Sequence, residues 1–250
     1  MSLTKVQEIV ELDELQLLNG SPIYFEDICY IFQPTIRDIA NITYKTFREY
    51  LYILISDPQV AFNLKEPIDP LTFIVNMGDT NLEFYELLKK AFRFFTHEDI
   101  LIITEFNGIQ IGNNFNKNKM ITKENFPKFQ YILKKMHWYD SSQVHDNPEN
   151  ERARKIIEKI NKGHQLVNQA KKNKNEDTDE IDLPTLVSSL AIRYNSLSEV
   201  FDLSYYAFND QIKRMQYEEE YQTNLRSALA GAKIPKDKMK YWIRKIKNDN

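Results

Sequence analysis

The chain has one cysteine, six glycines and four histidines in 250 residues, and each scarcity removes a class of protein. A lone Cys29 excludes any disulfide within the chain and favours a reducing compartment; set between Ile28 and Tyr30 in an apolar run, it reads as a small buried hydrophobe. His97, His137, His145 and His164 form no HxxxH or HExxH pair, so no metal site is expected. No phosphate-cradling GxxxxGK[ST] or GxGxxG occurs, and no GxSxG nucleophile turn. The carboxylates cluster in runs such as Glu218 to Glu220 without apolar interleaving, whereas catalytic pairs need desolvation to separate their pKa values. No enzyme, no catalytic residue and no cofactor is therefore expected.

No apolar run reaches the roughly 18 residues of a membrane span. The N-terminus MSLTKVQEIVELDEL is amphipathic and acidic, unlike a signal peptide, and a cytoplasmic location is expected. A net charge of −3 and a pI near 5.9 disfavour general nucleic-acid binding. The best candidate for a nucleic-acid or acidic-partner patch is the basic C-terminus, where Lys233, Lys236, Lys238, Lys240, Arg244, Lys245 and Lys247 surround Tyr241 and Trp242.

With 42% apolar residues the chain can build a sizeable core, and its few glycines beside many aromatics point to helices. The expected fold is α+β and mainly helical. Residues 1–140 form an N-terminal module of helices with small antiparallel hairpins, 141–182 a charged helix and flexible linker, and 183–250 an all-helical C-terminal module. Whether the two modules dock is left open by the sequence.

In the first module, Asn19-Gly20 between apolar runs predicts a type I′ hairpin. Thr35 with Asp38 caps a helix running to about Ser56, and Asp69-Pro70 opens another that closes at Gly78. Thr80 with Glu83 starts the next. The run ILIITEF-NG-IQIG over 100–112 predicts a second hairpin, with a third strand at 120–122 and a helix over 124–137.

The stretch Leu183 to Trp242 organises the rest. Phe201, Tyr205, Phe208, Ile212 and Met215 fall at steps of four and three, on one helix face. A second stripe, Tyr217, Tyr221, Leu225, Ala228 and Leu229, follows after a phase shift, with Gly231 as C-cap. Pro235 then opens a short basic helix whose apolar side is Met239, Trp242, Ile243 and Ile246. Two readings of the aromatic positions stand together: a surface that holds a partner chain, or the core of the second module.

The combination of an Asn-Gly hairpin, a QPTIRDI helix start, a charged linker and the segment DLSYYAFNDQIKRMQYEEEYQTNLRSALAGAK resembles the tail assembly chaperones and related structural-gene products of long-tailed bacteriophages of Gram-positive hosts. The resemblance implies a non-enzymatic helper that binds tape measure or tail tube protein during virion assembly. Independently of the resemblance, the aromatic and methionine-bearing helical pattern makes Phe201, Tyr205, Phe208, Ile212, Met215, Tyr217, Tyr221 and Trp242 the candidate partner-binding residues, and self-association is left open. A virion or host-interacting structural component and a nucleic-acid-associated factor are the alternatives.

Overall fold

The computed structural model describes residues 12–59, 66–112, 116–139 and 182–246. The expected charged helix and linker therefore lie outside the described residues, except for Asp182. The fold is α+β and mainly helical, with two small antiparallel sheets.

Helix α1 (Glu14–Leu18) occupies the place where a strand was expected. Asp13 caps it through Leu15 N, and Asn19 and Gly20, the latter at φ +71°, end the helix rather than reverse a hairpin. Both roles use the same tolerance of unusual backbone angles, so local sequence does not separate them. The hairpin is formed by β1 (Ile23–Phe25) and β2 (Cys29–Ile31), and its reversal is at Glu26 and Asp27, both with positive φ. Ile23, Phe25, Cys29 and Ile31 point inward while Tyr24 and Tyr30 face out, the period-two alternation of a half-buried sheet.

Thr35 and Asp38 make the expected capping box at the start of α2 (Ile36–Ile42). The single long helix is interrupted, however. Thr43 sits at φ +74°, costly for a β-branched residue, and its hydroxyl accepts from Thr46 N at 3.3 Å to cap α3 (Tyr44–Ile55). Asp69 caps α4 (Pro70–Thr80), which continues through Gly78. A Cβ at Gly78 would lie 2.1 Å from Ile102 Cδ1, so this glycine admits a neighbouring strand instead of ending the helix. Asn81, not Thr80, caps α5 (Leu82–Thr96).

The second sheet has the order β3 (Ile100–Ile103), β4 (Gly108–Ile111), β5 (Met120–Ile121), all antiparallel. Its first connection is a 3₁₀ turn over Thr104–Phe106 closed by left-handed Asn107, so only Asn107 of the Asn-Gly pair takes the special angle. Helix α6 (Phe126–Met136) buries Phe126, Phe129, Leu133 and Met136, as its spacing predicts.

After Asp182, whose carboxylate accepts from Thr185 N at 2.9 Å, come α7 (Leu183–Tyr194), α8 (Leu197–Asp202) and the 25-residue α9 (Tyr205–Leu229). These helices dock on the first part of the chain. Val187, Leu190, Val200, Tyr206, Phe208 and Ile212 join the same buried cluster as Phe47, Phe92, Phe95 and Phe129.

Candidate functional site

The aromatic stretch is best followed from the point where α9 is anchored. Between α8 and α9 the backbone is extended: Ile36 N donates to Leu203 O at 3.0 Å, and Tyr205 N donates to Pro34 O at 2.9 Å. Ser204 then caps α9, accepting from Ala207 N at 3.2 Å. Two N–H groups of Arg37 reach one carboxylate oxygen of Asp202 at 2.9 and 2.8 Å, and the same guanidinium lies 5.7 Å from the Phe201 ring. Phe201 is therefore on α8, separated from the other four stripe residues by the break at Leu203 and Ser204. Steps of three and four continued across that break by coincidence of phase.

The first turns of α9 are core. Phe208 is fully buried and Ile212 nearly so. The Tyr205 ring lies 5.1 Å from Phe47 and 6.1 Å from His137, with its hydroxyl 3.5 Å from that of Tyr44. Burial, then the adjacent Tyr44 phenol, push the Tyr205 pKa up. Tyr206 packs against Trp138 at 5.5 Å, and buried Asp210 is paired with Arg214 at 2.7 Å.

His137 ends α6 among these rings, 5.6 Å from Phe47 and 5.1 Å from Phe95. Its Nδ1 is 2.7 Å from Leu133 O, while Nε2 is buried without a partner. Burial lowers its pKa to about 4, so the ring is neutral at ordinary pH.

Beyond Ile212, no residue of α9 is buried. Met215 packs on the edge of the core, and Tyr217 and Tyr221 are half-buried beneath the C-terminal segment. That segment runs back along the helix. Asn224 Nδ2 donates to Lys238 O at 2.9 Å; Tyr241 meets Tyr221 edge to face at 5.4 Å; the Arg244 guanidinium lies 4.0 Å from the Tyr217 ring centre and 3.6 Å from Glu220. Lys245 is 3.0 Å from Glu14.

The basic helix expected after Pro235 does not form. Only a 3₁₀ turn, Lys236–Lys238, is present, and 239–246 has no regular structure. A short helix needs a buried face for stability, and Ile243 on that face is 60% exposed.

Trp242, Met215, Leu190 and Tyr194 wall an open depression of about 350 Å³, with Arg193 and Glu218 also lining it. Arg193 pairs with Glu218 and lies 3.5 Å from Glu219. Of the eight predicted positions, Tyr217 and Tyr221 lie on the side of α9 that the C-terminal segment covers, while Met215 and Trp242 line the depression beside Leu190 and Tyr194. Tyr205, Phe208 and Ile212 are placed in or against the core, and Phe201 stands apart on α8. Gly231, at φ +92°, ends α9 as expected: Gly231 N donates to Ala228 O at 3.0 Å and Ala232 N to Ser227 O at 2.9 Å, a Schellman arrangement.

Sequence reasoning missed the pairing of Glu218 and Glu219 with Arg193 and of Glu220 with Arg244; for the last the signal was an acidic run followed by a basic one across a helix stop. It also missed an aromatic ladder on the first hairpin, where exposed Tyr24 and Tyr30 lie 4.7 Å apart and Phe32 stacks on His97 at 3.9 Å. Cys29 is buried, and burial is the main cause of its thiol pKa rising to about 12. His145 and His164 lie outside the described residues. Among the described residues no three metal-ligating side chains gather, and no helix is long and apolar enough to cross a membrane.

Residues 171–247, which include α7 to α9 and the returning C-terminal segment, match the family model of the YomV second domain. The match is to a phage-type protein and points to a phage-related family. No curated protein and no solved structure matches the chain.

Proposed function

We propose that this chain is a non-enzymatic assembly chaperone of a long-tailed bacteriophage, binding tape measure or tail tube protein while the virion is built. The observation that carries the reading is the split of α9. Its first turns anchor it in the core, while its remaining length presents Met215, Tyr217 and Tyr221, with Trp242 from the C-terminal segment, outside the core. Aromatic and methionine side chains interleaved with paired charges suit repeated contacts with helical partners. The match of residues 171–247 to a phage-type family supports the phage setting. Protein is favoured over nucleic acid because the chain carries a net charge of −3 and its basic segment lies beside the acidic Glu220 and Glu14.

Co-expression with neighbouring tail-gene products, followed by size-exclusion chromatography, tests the proposal. A soluble complex with a long helical partner or a tube subunit, and absence of the chain from purified particles, is the expected result. A chain that elutes alone and leaves every partner unaffected, yet is found in particles, would replace the chaperone reading with that of a structural component.

A further inference from the structure

The C-terminal segment is held on α9 in an unusual way. Among the described residues, no backbone–backbone hydrogen bond ties 240–246 to the rest of the chain. Tyr241 and Ile243 remain 55% and 60% exposed, so the segment's apolar burial is confined to the half-buried Trp242 and Ile246. Beside that burial it is held by a set of separate contacts: Arg244 over the Tyr217 ring, the Arg244 to Glu220 and Lys245 to Glu14 ion pairs, Tyr241 against Tyr221, and Asn224 on the main-chain carbonyl of Lys238. Four of these recognise a cation or an aromatic ring, and the fifth recognises backbone whatever the side chain. Exposed ion pairs and cation–ring contacts of this sort are individually weak. They persist because the segment is tethered a few residues from its site, which gives it a high effective concentration.

We infer that the face of α9 formed by Tyr217, Glu220, Tyr221 and Asn224 is a docking site for an extended basic, aromatic-bearing protein segment, and that the chain's own residues 238–245 occupy it as a displaceable stand-in. Charge complementarity selects this occupant. Glu218 and Glu219 are turned to Arg193, Glu220 faces the segment, and the segment brings Lys238, Lys240, Arg244 and Lys245 with Tyr241 and Trp242. A partner with the same pattern makes the same contacts, and a longer one can also cover Leu229 of α9, which is 80% exposed. Release of the segment would also uncover the Trp242 side of the depression beside Met215. The inference deepens the chaperone proposal and rests on it for the occupant being a protein.

The test uses the full chain and a fluorescein-labelled synthetic peptide of residues 236–246, with binding followed by anisotropy. The double variant Tyr241→Ala/Arg244→Ala, which weakens the cis segment and leaves the face intact, should bind the peptide about tenfold or more tightly than the unaltered chain. Adding Tyr221→Ala and Glu220→Lys to that variant should abolish binding, and added salt should weaken it. Circular dichroism melts establish that each variant is folded, as expected for changes at the surface. Equal affinity of the unaltered and weakened chains, no binding to the weakened chain, or binding indifferent to the face substitutions would each overturn the inference. Peptide binding without any co-expressed complex would sink the chaperone reading alone; a complex without peptide binding would sink this inference alone.

Discussion

The two parts of α9 have similar side chains and opposite surroundings. From Tyr205 to Ile212 its aromatics pack against Phe47, His137 and Trp138. From Lys213 to Leu229 nothing is buried, and the aromatics there are covered only by a segment without regular structure. The same residue types at the same spacing are structural in one part and available in the other. Burial, not composition, separates them.

The contrast is sharpest at Phe208, whose side chain is fully buried. Phe208→Ala should cost about 3–5 kcal/mol through lost burial and a residual cavity, a large part of the stability of a typical domain, and chemical denaturation will read it directly. A pH titration probes the same region from the other side. Because the folded His137 pKa is depressed to about 4, the unfolded chain takes up the proton first as pH falls below roughly 6.5. The stabilisation present at neutral pH is then lost between about 6.5 and 4, and the contribution levels off below that. Unfolding free energies at pH 7 and 4.5 should therefore differ by about 2–3 kcal/mol more in the unaltered chain than in His137→Leu; equal differences would mean that the ring is open to water and that the joint is looser than described.

Smaller effects are expected away from the core. Ser204→Ala removes the α9 cap and should cost about 1 kcal/mol in a thermal or denaturant melt. Arg244→Ala should cost less than about 1 kcal/mol, since its partner Glu220 is 55% exposed and its contacts are on the surface. A large loss there would show that the C-terminal segment is structural and would erase the distinction between the two parts of the helix.

Local chemistry was legible wherever a side chain contacts its own backbone. The Thr35 and Asp38 capping box, Asp69 ahead of Pro70, and Gly231 after α9 all follow from residue type and spacing of a few positions. The buried stripe of α6 was equally readable. Reversals set by distant contacts were not. Thr43, Glu26 and Asp27 adopt positive φ without glycine to announce it, while Asn19-Gly20 and Gly78 carry turn signals that serve a helix end and a close strand approach. The candidate site was half legible for a related reason. Spacing located Met215, Tyr217 and Tyr221 on α9, but it could not show that Phe201 belongs to α8, that Tyr205, Phe208 and Ile212 meet the N-terminal elements, or that Arg244 folds back onto Tyr217.

The most direct test of the division is the double variant Tyr217→Ala/Tyr221→Ala, measured in parallel for thermal stability and for co-purification with tail-gene products. The account predicts a melting temperature lowered by no more than about 4 °C, the order expected from a loss near 1 kcal/mol, together with loss of the co-purifying partner. Retention of the partner at full yield, or a collapse in stability matching that of Phe208→Ala, would contradict it.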